Sequence, residues 1–491
     1  MSIRDSVTMF MKTARHVEHQ KSELVLLIVL VGCAFDLVNV TATISSMSEI
    51  QRHFDTTYSK ASWVLSAYAV AFSGFIAVSG RIGDIIGHAN LYIWSSVLFA
   101  LFSLLCGAVD SLTALIVFRT LQGVAAAALV PSGYAIVARS FPPEKLGSRF
   151  SILAAGFSLS FGVGYIVGGA FDLTSVGYKG IYYVSGGVMF VDAALGFFFI
   201  KDIPPTGEKV VNLDAVGSFL LIGATTLVVV GFTEAGEVWN SPKTYLPLLM
   251  GGIFYVVFYF WNTEILARVQ QSGRHFKQTV PLMPRSLLTT LVPVCVLVAV
   301  FMNYCTLFAI ISLSAEYFQY VEQNSPILAA VKLAPNLIGM FVVTTLLSLK
   351  NDILSPYTSF MLGYSGIVAA AALCATWNSN HSHFYWRWIV PMQGLSSAGS
   401  SFFFPHSLNV LIGAADPDVR GLVSGVMQTF GQVGVSLCFA VVTSVLGNGA
   451  KTDEKFRICG YVLIAVASVG WLCCLAVYIR GHKTREKTPD A

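Results

Sequence analysis

Long apolar windows recur along the chain, separated by short polar segments. A helix that crosses a bilayer needs about 20 mostly apolar residues, so each window predicts one membrane span. Six windows lie at 23–45, 61–80, 91–109, 112–137, 150–171 and 181–200, two at 215–232 and 245–265, and six at 289–312, 326–349, 356–376, 385–412, 421–446 and 456–480. The pattern therefore predicts fourteen spans.

The spacing of these windows also predicts how the chain is organised. A polar tail at 1–22 precedes a six-helix bundle at 23–200, and a linker at 201–288 carries two additional spans. A second six-helix bundle follows at 289–480, and a short tail at 481–491 ends the chain. Paired bundles of this kind are typical of transporters, which are built from repeats around a midplane site.

Composition and charge support a membrane location. Of the 491 residues, 55% are hydrophobic and 11% are charged, whereas soluble domains carry about 25% charged residues. We therefore expect an all-α, polytopic membrane protein. Basic residues concentrate in both tails and in alternate loops, and the positive-inside rule then predicts cytosolic termini. The nine cysteines lie mostly in apolar stretches without CxxC spacing, so buried apolar roles are favoured over disulfides or metal ligands.

Two polar pairs inside predicted spans are candidates for proton coupling and for lining a cavity. Asp36 lies halfway along the first span with Asn39 on the same face, and Arg119 shares a face of the fourth span with Gln122. Ionisable groups within a membrane face a cavity or a partner, so we expect Asp36 to carry a proton and Arg119 to be its partner. The alternative is a permanent ion pair that fixes helix packing.

Two further ionisable residues are weaker candidates of the same kind. Asp192 lies in the sixth span, and His406 follows a proline in the sequence FFFPHSLNVL. A histidine can titrate near neutral pH, so we expect both residues to contribute to the cavity. A purely structural role remains the alternative for each.

Two glycine-rich stretches predict close backbone approaches. The sequence SGRIGDIIGHAN follows the second span and predicts a tight gating turn, with an ordinary polar turn as the alternative. The sequence FGVGYIVGGAF lies in the fifth span, where its glycines predict close contact with a partner helix. The residues singled out are Gly80, Arg81, Gly83, Asp84 and Gly87 in the first stretch, and Gly164, Tyr165, Gly168 and Gly169 in the second.

These stretches resemble the major facilitator superfamily, in particular the fourteen-span drug:H+ antiporters and their fungal members similar to aminotriazole-resistance transporters. The similarity is carried by SWVLSAYAVAFSGFIAVSGRIGDIIGH, FRTLQGVAAA and RGLVSGVMQTFGQVGVSLCFA. It implies two six-helix halves that alternate access, a latch at the 80–87 loop, and proton coupling through Arg119. It also implies that Tyr165 replaces the proline of the family's antiporter motif.

The expected function is secondary active efflux of a small organic compound, a drug, toxin or secondary metabolite, by proton antiport. The alternative is a facilitator or importer of a small polar solute without antiport. The sequence holds no HExxH motif, P-loop or nucleophile constellation, so we expect no enzyme activity. The proton gradient replaces any cofactor, and the expected partners are the bilayer and the substrate, without nucleic acid. We expect a monomer in the plasma membrane, with the vacuolar membrane as the alternative location.

Overall fold

All regular secondary structure in the described part of the chain is helical. The computed structural model describes residues 3–200, 213–235, 238–271, 279, 281–283, 285–349, 355–414, 420–447 and 451–487. Backbone groups have no water to bond in a bilayer, so spanning segments must satisfy their hydrogen bonds internally, and helices do so.

The helices are grouped here into an N-terminal half (α1–α9), a middle segment (α10–α13) and a C-terminal half (α14–α20). The N-terminal half contains α1 (Ile3–Ser45), α2 (Met47–His53), α3 (Tyr58–Ala61), α4 (Trp63–Ile86), α5 (His88–Ala108), α6 (Leu112–Ala126), α7 (Leu129–Ser140), α8 (Pro143–Phe171) and α9 (Lys179–Phe199). The middle segment contains α10 (Ala215–Ala235), α11 (Pro242–Phe260), α12 (Leu266–Gln271) and α13 (Arg285–Thr289). The C-terminal half contains α14 (Leu291–Glu316), α15 (Pro326–Lys332), α16 (Ala334–Leu349), α17 (Pro356–Ala375), α18 (Val390–Ala414), α19 (Arg420–Leu446) and α20 (Asp453–Lys487). Short π-helical turns occur at Trp261–Ile265, Tyr317–Val321 and Tyr385–Ile389.

Twelve helical stretches among the described residues are long and apolar enough to cross a membrane. Two of the fourteen predicted windows, 150–171 and 385–412, are not among the twelve. Helices are present at both places, and Gly162–Phe171 is the apolar stretch of α8 among the residues whose side chains the structure describes. Helix α18 is rich in serine, which lowers its hydropathy. Fourteen spans therefore remain a prediction.

The turn predicted after the second span is much smaller than expected. We expected span two to end near residue 80, but α4 continues to Ile86 and α5 begins at His88. The turn is confined to Gly87, whose φ of 92° lies in the region that favours glycine. The predicted tight loop over residues 80–87 was therefore wrong, because this stretch keeps its helical hydrogen bonds until Gly83 accepts from the Gly87 amide.

The two halves pack against each other in two regions. Helix α4 packs on α19, and α8 packs on α15 and α16. Within the N-terminal half α1 packs on α8 and α9, whereas α14 packs on α18, α19 and α20 in the C-terminal half. In the middle segment α10 packs on α11 and also contacts α4 and α19, so it lies beside the junction of the two halves.

One end of the helix bundle is closed by contacts between the halves, and we refer to it as the closed end. The Gln319 side chain donates to the Ser45 carbonyl oxygen at 2.7 Å, and the Tyr320 hydroxyl is 2.7 Å from Gln51 Oε1. Lys451 forms a buried ion pair with Glu316. The residues that form the closed end are Ser45, Gln51, Tyr58, Glu316, Gln319, Tyr320 and Lys451.

The Lys451 ammonium group also lies over two aromatic rings at the closed end. Its Nζ is 3.5 Å from the Tyr320 ring centroid and 4.2 Å from that of Tyr58. Cation–π attraction therefore links a C-terminal lysine to a tyrosine of the N-terminal half. Helix α1 ends and α20 begins at this end of the bundle, so the first residue of α1 and the last of α20 lie towards the opposite end.

Candidate functional site

A central cavity of ≈150 Å³ lies between the two halves. Helices α1, α4, α7 and α8 line it on one side, and α14, α16, α18 and α19 line it on the other. Tyr134, Thr344 and Gln428 lie in the parts of their helices that are remote from the closed end. Six aromatic side chains line the cavity: Phe72, Tyr134, Phe157, Tyr304, Phe308 and Phe404. Such a site suits a ligand that is largely apolar.

Asp36 is the only charged residue among those that line this cavity in the described part of the chain. Its side chain is buried, and its Oδ1 accepts a hydrogen bond from the Tyr68 hydroxyl. The carboxylate reaches the cavity because α1 presents Cys33, Asp36 and Leu37 to it. The structure thus places the predicted proton carrier at the cavity wall.

Arg119 lies behind that wall and is fully buried. Its Nη1 donates to Asn39 Oδ1 at 2.5 Å and to Gln122 Oε1 at 2.6 Å, and its Nε donates to the Val64 carbonyl oxygen at 3.1 Å. Its Nη2 has no hydrogen-bond partner within the described residues. The guanidinium is therefore held by neutral acceptors, which keep a buried charge in place without a contacting carboxylate.

The direct pair expected between Asp36 and Arg119 was wrong, because Tyr68 lies between them. The Arg119 guanidinium carbon is 4.2 Å from the Tyr68 ring centroid, and the Tyr68 hydroxyl bonds Asp36. Tyr68 is buried in α4. Sequence reasoning missed Tyr68, whose only signal was a polar tip inside an otherwise apolar span. Charge at Asp36 can be felt by Arg119 through this ring without direct contact.

Asn39 and Gln122 accept hydrogen bonds from Arg119 and are not among the residues that line the cavity. Besides their bonds to Arg119, the Asn39 amide donates to Ser185 Oγ at 3.2 Å and the Gln122 amide to Ser103 Oγ at 2.5 Å. Each amide thus accepts from the guanidinium and donates to a serine hydroxyl. This arrangement fixes the orientation of both side chains and, through them, of the arginine.

Asp192 and His406 lie outside the central cavity, so the expectation that they line it was wrong. Asp192 is buried between helices and accepts from the Tyr92 hydroxyl at 2.9 Å and from Ser96 Oγ at 3.2 Å. The His406 Nδ1 is 3.0 Å from the Phe402 carbonyl oxygen on its own helix. Pro405 lines the cavity and its neighbour His406 does not, because successive helical residues point in different directions.

The C-terminal wall of the cavity carries neutral polar groups that the sequence did not single out. Ser400 Oγ donates to Asn303 Oδ1 at 2.7 Å, and the Tyr304 hydroxyl donates to Gln428 Oε1 at 3.2 Å. Gln432 lies one helical turn beyond Gln428 and also lines the cavity. An i, i+4 pair of glutamines in an apolar helix was the available signal.

The predicted gating residues are distributed between a helix and a turn. The Arg81 side chain is buried and its Nη2 donates to the Pro281 carbonyl oxygen at 3.1 Å, which joins α4 to the middle segment. A Cβ on Gly83 would collide with the His88 ring, whereas one on Gly80 would meet no atom within 4 Å. The Asp84 side chain lies outside the described residues, so its predicted role stays a prediction.

The glycine-rich stretch of α8 meets both halves. A Cβ on Gly164 would lie 2.5 Å from the Val38 carbonyl oxygen, and one on Gly168 would lie 2.6 Å from that of Ala42. Both glycines therefore allow α8 to approach α1 more closely than any side chain would permit. Gly169 is buried in the same helix.

Tyr165 points to the C-terminal half and not into the central cavity. It is buried and lines a small void of ≈30 Å³ together with Ile311, Ala330 and Leu337. Helix α8 runs unbroken through this position. The geometry therefore gives Tyr165 a place in the interface between the halves, away from the central cavity.

A carboxyl pair lies at the closed end, beyond the central cavity. Asp172 follows the last residue of α8, and burial, then the neighbouring Glu49 carboxyl group, raise the pKa of Asp172 to about 8. A helix C-terminus also disfavours negative charge. Nearby, Asp110 is exposed and pairs with Lys179, whose hydrogen bond and charge lower the pKa of Asp110.

The sequence that forms these two helical halves matches a family model. The model described as "Major Facilitator Superfamily" matches residues 25–438. This chain belongs to the major facilitator superfamily. Members of this superfamily are membrane transporters and not enzymes. This major facilitator chain is therefore a multi-pass transporter whose partners are the bilayer and a small molecule.

Several curated relatives of this major facilitator chain are similar along most of their length. It is 26% identical over 466 residues to the puromycin resistance protein pur8 of Streptomyces alboniger, covering 92% of this chain and 89% of that protein. It is 24% identical over 445 residues to the low affinity ammonium transporter of Saccharomyces cerevisiae, covering 86% and 81%. It is 25% identical over 448 residues to the efflux pump terJ of Aspergillus terreus, covering 88% and 82%.

Solved structures show the same fold. The human organic anion transporter MFSD10 (TETRAN) superposes with a TM-score of 0.62 at 14% identity, covering 92% of this chain and 99% of that one. At such low identity the similarity establishes the major facilitator fold alone.

Proposed function

We propose that this transporter exports small, largely apolar organic compounds by proton antiport across the plasma membrane, through fourteen spans with cytosolic termini. Resistance proteins and efflux pumps among its relatives support the direction of transport. The apolar, aromatic cavity supports the class of substrate. Basic residues in both tails support the orientation.

The observation that carries this proposal is a single carboxylate in an aromatic cavity, backed by a buried arginine. Asp36 faces the cavity, Tyr68 bonds its carboxylate, and Arg119 lies over the Tyr68 ring. When Asp36 releases its proton, the arginine offsets the new negative charge through the intervening ring. When Asp36 takes up a proton, the wall becomes neutral. The cavity can therefore alternate between a charged and a neutral wall with each proton.

Alternating access follows from where the molecule is closed. The halves meet at the closed end, and the cavity lies towards the end that holds the chain termini. With cytosolic termini this is an inward-facing state that accepts substrate from the cytosol. Outward opening then requires the contacts of Gln319, Tyr320 and Lys451 with the N-terminal half to break. The proton taken up by Asp36 from outside returns to the cytosol in exchange for substrate.

A facilitator or importer of a small polar solute is the alternative function. It is favoured by the neutral polar groups of Asn303, Ser400 and Gln428, and by the similarity to a low affinity ammonium transporter. A facilitator would move its solute without any response to a pH gradient. The two functions therefore differ in one measurable property.

The test is transport by the purified protein in liposomes with an imposed pH gradient. We expect the wild type to drive a fluorescent, largely apolar organic compound against its concentration gradient while dissipating the pH gradient. Asp36→Asn should lose this proton-driven component and retain exchange of labelled for unlabelled substrate. The matched control is Asp110→Asn, since that carboxylate is exposed and far from the cavity.

Two outcomes would contradict the proposal. A wild type that equilibrates solute but ignores the pH gradient would identify a facilitator. An Asp36→Asn variant with full proton-driven transport would remove Asp36 from the coupling mechanism.

A further inference from the structure

A second and larger cavity, of ≈410 Å³, lies between the middle segment and the C-terminal half. Helices α10 and α11 line it on one side and α14 and α19 on the other, and Met283 and Leu288 also contribute to its wall. Asp36 and the other groups of the central cavity take no part in it. The transport mechanism proposed above leaves this space without a role.

The hydrogen-bonding groups of the three central hydroxyls in this wall are already engaged. Thr225 Oγ1 donates to the Leu221 carbonyl oxygen at 2.9 Å, so the Tyr255 hydroxyl must donate to Thr225 at 2.9 Å. Thr429 Oγ1 donates to the Gly425 carbonyl oxygen at 2.8 Å. No charged side chain lines the cavity within the described residues. The wall therefore selects a ligand that is itself hydrocarbon.

Neither water nor empty space suits such a cavity. A buried water needs two to four polar partners, whereas this wall has four hydroxyls among twelve apolar side chains, and three of the hydroxyls already donate to protein oxygens. An empty void of this size would leave the lining side chains without dispersion contacts on one side. The cavity must therefore be filled by an apolar group.

The surrounding bilayer supplies the occupant. Helices α10, α11, α14 and α19 all contain candidate membrane spans, so the cavity lies at membrane depth. Tyr259 is 43% exposed on α11 and lies at the edge of the cavity, while Leu249 and Ile253 on the same helix face outwards. These exposed side chains therefore contact the hydrocarbon chains of the surrounding lipids.

We propose that one acyl chain of a bilayer phospholipid occupies this cavity and fills the space between α10–α11 and α14–α19. The two cavities lie on opposite faces of the same two helices. Met302 lines the lipid cavity and its neighbour Asn303 the central one, and Thr429 and Gln428 are divided in the same way. The acyl chain thus packs against the back of the wall that holds the neutral polar groups of the transport site.

The experiment is photolabelling of the wild-type protein in nanodiscs that contain phosphatidylcholine with a diazirine midway along one acyl chain. We expect adducts on Val229 and Phe258, which are 1% and 6% exposed and are out of reach of lipids on the outer surface. Adducts on the exposed Leu249 serve as the internal reference for surface lipid. Adducts confined to exposed residues would overturn the proposal.

Filling the cavity should remove the buried adducts. Val298→Phe and Val433→Phe place extra volume in it from α14 and α19, and Leu249→Phe is the matched change on the exposed face. We expect loss of the Val229 and Phe258 adducts in the two filled variants and no loss in the control. Unchanged labelling in a monodisperse filled variant would overturn the proposal.

A transported compound could in principle take the same space, and the experiment separates the two sources. Excess apolar substrate should leave the Val229 adducts intact if the site belongs to lipid. Displacement of those adducts by substrate would refute the lipid assignment. Since the labelling needs no transport, failure of the antiport proposal would leave this result unaffected.

Discussion

The two walls of the central cavity differ in the chemistry that they present. The N-terminal wall carries Asp36, backed by Tyr68 and Arg119, whereas the C-terminal wall presents the neutral side chains of Asn303 and Gln428. Charges at membrane depth are costly unless they are held in a network. The ionisable groups are therefore concentrated on the N-terminal wall, where neutral acceptors surround them. The C-terminal wall stays neutral while it contacts substrate.

Removing Arg119 should have the largest effect on this division. Arg119→Ala deletes a buried cation and leaves the carbonyls of Asn39 and Gln122 without their donor, at a cost of about 1–3 kcal/mol for each unsatisfied acceptor. We expect a clear drop in the thermal unfolding temperature and loss of proton-driven transport. Arg119→Lys should restore little, because lysine lacks the planar fork that makes three bonds here.

The control for this experiment is Arg387→Ala, since that arginine is exposed. It should behave as the wild type in both measurements. A stable Arg119→Ala protein with normal proton coupling would show that the N-terminal wall does not depend on this cation.

Truncating the C-terminal wall should affect substrate and spare the proton. Gln428→Ala removes from the cavity wall an amide that also accepts from the Tyr304 hydroxyl, and a hydrogen bond lost to substrate costs about 0.5–1.5 kcal/mol of binding. We expect KM for transport to rise about tenfold, since 1.4 kcal/mol corresponds to that factor. The pH dependence of transport should stay that of the wild type.

Ser444→Ala is the matched change on the same helix, because the Ser444 hydroxyl donates to the Val441 carbonyl oxygen of that helix and Ser444 is not among the residues that line the cavity. Its KM should not change. A Gln428→Ala variant with altered pH dependence and normal KM would reverse the roles that we assign to the two walls.

The smallest expected effect concerns the carboxyl pair at the closed end. It tests whether the N-terminal half contains a second carboxyl group, besides Asp36, that changes its protonation. Asp172 has a pKa of about 8 in the folded protein, above its usual value of about 4. The protonated form is thus favoured by folding, so its stabilising contribution is full below pH 4 and is lost as the pH rises through 8. Asp172→Asn should therefore reduce the fall in unfolding temperature between pH 6 and pH 9.

Asp110→Asn provides the opposite case at the same end of the molecule. The pKa of Asp110 is lowered by Lys179, so its contribution is lost only in acid and the variant should show the wild-type profile between pH 6 and pH 9. If Asp172→Asn leaves the pH dependence of the unfolding temperature unchanged, the protonation of Asp172 beside Glu49 does not contribute to the stability of the fold.

The helical architecture was predictable because bilayer thickness imposes a length on every apolar window. Helices occur at each of the fourteen windows, although the serine-rich α18 is not among the twelve most apolar stretches. Helix ends were harder to predict. Gly80 and Gly83 suggested an early turn, yet both lie within α4. At Gly83 the missing side chain makes room for the His88 ring and does not bend the helix.

The candidate site was only partly predictable. Asp36 and Arg119 are conspicuous because charges inside apolar windows are rare, but the ring of Tyr68 between them depends on how α4 packs on α6. Asn303 and Gln428 come from helices far apart in sequence. Neutral polar residues are common in membrane helices, so only their convergence in three dimensions distinguishes these two from the rest.

The buried ion pair of the closed end bears on the speed of the transport cycle. Both of its charges, Glu316 and Lys451, belong to the C-terminal half, and the contact of Lys451 with the described residues of the N-terminal half is made with the ring of Tyr58. When the halves part, the pair moves as one body and no lone charge has to be hydrated on the way. The activation barrier for opening then rests on ring contacts and the two hydrogen bonds of Gln319 and Tyr320. Because salt screens such short-range contacts little, turnover should vary little between dilute and saline surroundings.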